Sequence, residues 1–237
     1  MLHRVMSFLR TYLWSSVGKK IITAISGLGL YFYIILHLAG NLTLFTRNPD
    51  IFNSYAHFLT GLGWLVVAIE IGLLLFFLFH IIGGVIVYIG KLRARPESYI
   101  KYESAGPPSK RTVSSTTMVW TGLVIGIFTT SHVITFKYGP GIGEGYVATI
   151  DGVVVRDLYR LVVEVFGNRW YVIWYVATMI FLGFHLRHAF WSSFQSLGAN
   201  NRVLTPLFYG AGVVMAILLA LGFLFLPVFI YFTGGAR

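Results

Sequence analysis

Long apolar runs separated by short polar stretches dominate the chain. Five are nearly free of charge: residues 21–45, 61–89, 118–136, 170–190 and 207–232. The hydrocarbon core of a bilayer, about 30 Å thick, takes about 20 residues of helix to cross. None of the runs alternates strictly, as the strands of a membrane barrel do. A helix satisfies its own backbone hydrogen bonds, which lipid cannot do for it. The pattern therefore predicts an all-α membrane protein, a bundle of five transmembrane helices. The spans take about half of the 237 residues, so one integral membrane domain, 1–237, is expected, with no separate soluble domain. No small-residue cleavage site follows the first apolar run, which argues against a cleavable signal.

Three shorter segments carry patterns of their own. Residues 1–17 mix Phe8, Leu9, Tyr12 and Trp14 with Arg4 and Arg10, the make-up of a short interfacial helix. The longest connection between spans is 137–169. Within it Leu158, Leu161, Val162, Val165 and Phe166 fall on one helical face, which predicts a surface helix over 156–166. Asp151-Gly152 at the centre of 146–155 suggests a hairpin.

Composition agrees with a membrane protein. Hydrophobic residues make up 57% and charged residues 11% of the chain, where a soluble domain carries about a quarter charged. With no cysteine, disulfides, thiol catalysis and iron–sulfur ligation by this chain are excluded. A net charge of +10 in such a protein reports orientation and anionic lipid rather than nucleic acid. Arg4, Arg10, Lys19, Lys20, Lys91, Arg93, Arg95, Lys101, Lys110, Arg111, Arg187 and Arg202 gather on one side. Only Glu97 and Glu103 oppose them there. The other side balances Arg47, Lys137, Arg156, Arg160, Arg169 and Arg237 against Asp50, Glu144, Asp151, Asp157 and Glu164. The excess places the N-terminus in the cytoplasm and the C-terminus outside.

The candidate chemistry lies in the histidines. Five of seven fall within the spans: His37, His80, His132, His185 and His188. Ionisable groups at that depth are rare and mark function as a rule. One alone would be read as a packing residue bonded to a neighbouring helix; the set argues otherwise. Each of the first four spans supplies at least one. His37 and His132 lie four and five residues past the middle of outward-running spans, and His80 and His185 five past the middle of inward-running ones. At ~1.5 Å per residue, one pair sits about 6–8 Å above the midplane and the other about 7–8 Å below. Two facing imidazoles at one depth, twice over, are what two b-type haems with paired axial histidines need. His188 lies deeper than His80, so the ligand role goes to His185, and His188, on the same face, is a candidate for a haem propionate.

Gly83 and Gly84 near His80, Gly40 near His37 and Gly183 beside His185 would leave room for a macrocycle, although small residues also serve ordinary helix packing. A zinc or di-iron site would want carboxylates or cysteines near these histidines, and only Glu70 lies inside a span. No nucleotide-binding, zinc-protease or nucleophile motif is placed where it could work.

Four stretches carry a family likeness: GKKIITAISGLGLYFYIILHLAGNLTLF (18–45), IFNSYAHFL (51–59), EIGLLLFFLFHIIGGVIVY (70–88) and FHLRHAFWSSFQSLG (184–198). With the TSHV around His132, they resemble the membrane cytochrome b subunit of succinate dehydrogenase/fumarate reductase. The variant is the single-subunit, five-helix, di-haem one of menaquinone-using bacteria. The likeness runs from about Lys19 to Pro206 and weakens in the outer loop and the last helix. It implies that His80 and His185 ligate the haem nearer the cytoplasm, and His37 and His132 the haem nearer the outside, the pairing that depth also gives. It further implies a bacterial cytoplasmic membrane, and a flavoprotein and an iron–sulfur subunit docked on the cytoplasmic face. Electrons would pass between that head and menaquinone through the two haems.

Quinone chemistry moves two protons with two electrons, so a proton-exchanging group near the outer haem is needed. Glu70 lies outward of the middle of the second span, ten residues before His80, where the family also has a glutamate. Asn41, His57 and Trp64 share that outer edge as candidate quinone contacts; loop capping and an interfacial aromatic belt are their ordinary alternatives. At the inner edge Lys91 and Arg187 are candidates for haem propionates, beside a plain orienting role. Two rival readings are a haem b anchor of another respiratory complex, of the hydrogenase or formate dehydrogenase type, and a haem-free membrane transporter.

Overall fold

The helices form where hydrophobic residues leave the backbone no other partner. The computed structural model describes residues 15–94 and 112–234. Residues 1–14 of the expected interfacial helix over 1–17 and most of the basic connection between the second and third spans lie outside the described residues, and Ser16 and Val17 already belong to the first long helix. Within them, five helices are long and apolar enough to cross a membrane: α1 (Ser16–Asn41), α3 (Trp64–Ala94), α4 (Val113–Phe136), α6 (Arg169–Ser196) and α7 (Leu204–Gly234). The multi-pass helical membrane architecture expected from the sequence is therefore present.

The span ends differ from the sequence reading where local chemistry intervenes. The first span stops being α-helical at Asn41 and continues as a 3-10 turn over Leu42–Thr46, closed by Arg47 in the left-handed region. A helix that the hydropathy pattern does not predict follows, α2 (Pro49–Gly61). Its start has a clear local cause: the Asn48 side chain accepts from the Asp50 N–H, Pro49 stands in the first turn, and Asp50 faces the positive end of the helix dipole. The second span begins at Trp64, not at residue 61, because Gly63 takes φ +57° and turns the chain out of α2. At their other ends α3 and α6 run past the expected limits, to Ala94 and Ser196.

The outer connection holds β1 (Val147–Ile150), β2 (Val153–Arg156) and α5 (Leu158–Phe166). Ile150 pairs with Val153 across Asp151-Gly152, which take φ 49° and 80°. Positive φ at both central residues is the turn whose twist suits a two-residue hairpin. Asp157 caps α5 by accepting from the Arg160 N–H at 3.0 Å, and Leu161, Val162 and Phe166 are its buried face.

The chain divides into two compact units, with a boundary inside each long helix. The first takes residues up to Phe32, Gly72–Gly122 and Phe184–Ala216; the second takes Tyr33–Ile71, Leu123–Gly183 and residues from Ile217 on. In the second unit Leu44, Phe52, Val162, Phe166, Val172, Tyr175, Leu226 and Ile230 form one buried cluster. Asn53, fully buried, ties α2 to α5: its amide donates to Asp157 Oδ1 at 2.9 Å and its oxygen accepts from the Tyr159 N–H at 3.0 Å.

Candidate functional site

In the first unit, His80 on α3 and His185 on α6 face each other with ring centres 6.2 Å apart and planes at 72°. His80 Nδ1 lies 3.1 Å from the Thr23 carbonyl oxygen. A carbonyl only accepts, so Nδ1 carries the proton and Nε2 keeps a free lone pair. The ring reaches that carbonyl because residue 27 is glycine; a Cβ there would stand 2.9 Å from His80 Cε1 and 3.0 Å from Nδ1. His185 Nδ1 lies 3.1 Å from the Thr121 hydroxyl. That hydroxyl donates to the backbone carbonyls one turn back, Thr117 at 3.2 Å and Met118 at 3.1 Å. It is left to accept from His185, which again frees Nε2. The two rings of the pair are thus held in the same tautomer.

In the second unit, His37 on α1 and His132 on α4 face each other at 5.7 Å with planes at 90°. His132 Nδ1 lies 3.1 Å from the hydroxyl of buried Tyr175. Tyr33 and Phe223 stack on His37, at 5.5 and 5.8 Å, and Phe128 stacks on His132 at 5.7 Å. Asn41 donates to the His37 carbonyl at 2.7 Å. Its contacts with the ring nitrogens, 3.4 and 3.5 Å, are at the limit of hydrogen bonding.

An imidazole–metal bond of about 2.0 Å, with the ring centre about 1.1 Å behind the nitrogen, puts two axial rings about 6 Å apart. Both pairs come close to that spacing. A bare edge-to-face ring contact spans the same range, so distance alone does not discriminate. Anchoring Nδ1 and presenting Nε2, as His80 and His185 do, is also how proteins orient metal-binding histidines. The four rings are only half-buried, so protein atoms do not close over them. Nδ1 of His188 is buried without a hydrogen-bond partner, as are the Tyr31 hydroxyl and Ser114 Oγ. An unmet buried polar group costs about 1–3 kcal/mol, which a carboxylate-bearing ligand would relieve. By these tests the residues fit haem.

The remaining candidates are scattered. Asn41 sits against His37. Glu70 forms an ion pair with Lys137, both half-exposed, and Tyr33 lies within electrostatic range of Glu70 and Tyr55. His57 is exposed on α2, and Trp64 is 80% exposed at the start of α3. Arg187 donates to the Tyr209 hydroxyl at 3.0 Å, and Lys91 is exposed in the last turn of α3. Two glycines expected to clear a macrocycle do something else: Gly83 admits the Thr23 side chain and Gly40 the Tyr55 ring. Gly84 does face open space.

Sequence reasoning missed Thr121, Tyr175, Lys137, Tyr31 and Ser114. The first two had a signal, as polar side chains deep in apolar spans on the helices that carry His132 and His185. No family model, curated protein or solved structure matches the chain.

Proposed function

We propose that this chain is a di-haem cytochrome b anchor, which carries electrons between a succinate-oxidising or fumarate-reducing head and menaquinone in a bacterial cytoplasmic membrane. The observation that supports it best is the pair of facing imidazoles in each unit, with Nδ1 anchored in His80, His185 and His132. When bound, haem supplies reversible one-electron chemistry at its iron. His80 and His185 would hold one iron, His37 and His132 the other. The Thr23 carbonyl and the Thr121 hydroxyl accept hydrogen bonds from Nδ1 of His80 and His185, which fixes ring orientation and makes Nε2 a better donor, and the Tyr175 hydroxyl holds His132 through Nδ1. Tyr33 and Phe223 stack on His37 and Phe128 on His132, which gives the second pair apolar neighbours on its ring faces.

Glu70, paired with Lys137, is the group assigned to exchange protons with the quinone; its half-exposed position lets it reach both a ligand and water. Exposed Trp64 offers a face on which a quinone ring stacks, and Asn41 and His57 are polar contacts at the same end. A flavoprotein and an iron–sulfur subunit would dock on the cytoplasmic face, where Lys91 and its basic neighbours meet them. This chain holds no succinate site in that arrangement.

The test is purification of the native complex followed by succinate addition. A co-purifying flavin subunit and succinate-dependent reduction of a b-type absorption band near ~560 nm are expected. A b-type band with a hydrogenase or formate dehydrogenase head instead would move the chain to another respiratory complex. Absence of any such band would leave a haem-free membrane protein.

A further inference from the structure

The outer loop of the second unit reaches Glu70 through Lys137. Lys137 directly follows the last residue of α4, where carbonyls run out of helical N–H partners and the helix dipole is negative. Three carbonyls of that turn, those of Lys137, Gly139 and Pro140, accept from one guanidinium. Arg156 donates to them through Nη1 at 3.4 Å, Nη2 at 3.1 Å and Nε at 2.9 Å. A rigid planar fork can bridge several acceptors, where a lysine ammonium is a point charge. On its helix side the turn is tight as well. The Lys137 and Tyr138 N–H groups share the Val133 carbonyl, at 3.0 and 3.2 Å, and a Cβ on Gly139 would run into the Thr135 carbonyl oxygen.

Arg156 is itself firmly placed. It pairs with Val147 at the end of the hairpin. The next residue, Asp157, donates its N–H to the Tyr146 carbonyl at 2.9 Å and caps α5. The Glu144 carboxylate, which accepts from the Gly141 N–H at 2.8 Å, lies within favourable electrostatic range of the guanidinium.

We infer that Arg156 is a positioning residue for the quinone reaction: it clamps the turn after α4 and so keeps the Lys137 ammonium on Glu70. This rests on the reading of Glu70 as the proton group, and extends it to the hairpin, which serves the site without touching it. Lys137 engages Oε1, so the carboxylate keeps one direction and Oε2 is the atom that meets the quinone oxygen. Without the clamp the turn and its ammonium shift, and Glu70 loses that direction.

The experiment measures menaquinone-analogue turnover in the purified complex carrying Arg156→Gln, Lys137→Met or both. Each single variant is expected to keep two haems and to lose about three- to tenfold in kcat with KM nearly unchanged, inside the ~10²-fold that a misplacement of about 1 Å can cost. The double variant should be no slower than Lys137→Met, because the clamp acts through that residue. Lys137→Arg, which keeps a cation opposite Glu70, should recover most of the loss. Full kcat in Arg156→Gln beside an impaired Glu70→Gln would overturn the inference. So would losses that multiply in the double variant, the mark of an independent role in capping α4. Should Arg156→Gln fail to assemble, Arg156→Lys decides by the same readouts, since it keeps the charge and breaks the fork. Unimpaired turnover in Glu70→Gln would instead overturn the proton-group reading itself.

Discussion

Thr121 and Gly27 do for the first histidine pair what the histidines cannot do for themselves. Thr121→Val keeps the shape but removes the hydroxyl that holds His185 Nδ1. Loss of a hydroxyl that orients a metal-binding imidazole weakens metal binding about 10–100-fold, and haem retained on dilution of the purified protein will measure it. Gly27→Ala puts a methyl within van der Waals overlap of the His80 ring and should displace it; the expected result is one haem fewer per chain. The histidines themselves were legible in the sequence, since imidazoles are rare in apolar spans and their depths pair by simple arithmetic. Their anchors were not. The partner of His80 is a backbone carbonyl, which carries no residue identity, and threonines such as Thr121 also bond their own helix in membranes.

Elements were read well where periodicity or turn chemistry was strong. The long helices, the Asp-Gly hairpin and the apolar face of α5 all declared themselves. Helix α2 did not: its sequence is mixed, and it follows a span that hydropathy had already extended. Asn48-Pro49-Asp50 was the signal, a capping pattern visible only to a search for helix starts. What α2 contributes is Asn53, whose removal would strand a buried N–H and part of the α5 cap. Asn53→Ala should cost about 1–3 kcal/mol, seen as faster amide exchange in α5 with little change in the bundle.

Helix α5 also has an acid limit, set within the helix by Glu164 rather than by its cap. Tyr146 and then Arg160 hydrogen-bond the Glu164 carboxylate and hold it below its usual range. A carboxyl lowered in the folded state stabilises above its unfolded pKa, and that contribution fades as pH falls through the folded value. Protection of α5 should therefore drop at acid pH in wild type and lose that dependence in Glu164→Gln. The group is exposed, so the effect is small.

At the scale of the whole molecule, each compact unit holds one histidine pair, and the second unit also holds the Glu70–Lys137 ion pair. If that ion pair serves the quinone, Glu70→Gln will retain both haems while menaquinone-analogue turnover falls severalfold; unimpaired turnover would place the proton group elsewhere. The charge bias that set the expected orientation was plain in the sequence. Glu70 was plain too, as the lone carboxylate within a span, but its partner was not, because Lys137 lies in the outer loop and had only been counted among the six basic residues of that side. Most direct for the central claim is the haem content per chain of wild type and the four single His→Ala variants. The account predicts two in the wild type, with His80→Ala and His185→Ala losing one and the same haem, and His37→Ala and His132→Ala losing the other. Any other partition, a single haem in the wild type, or none, would contradict it.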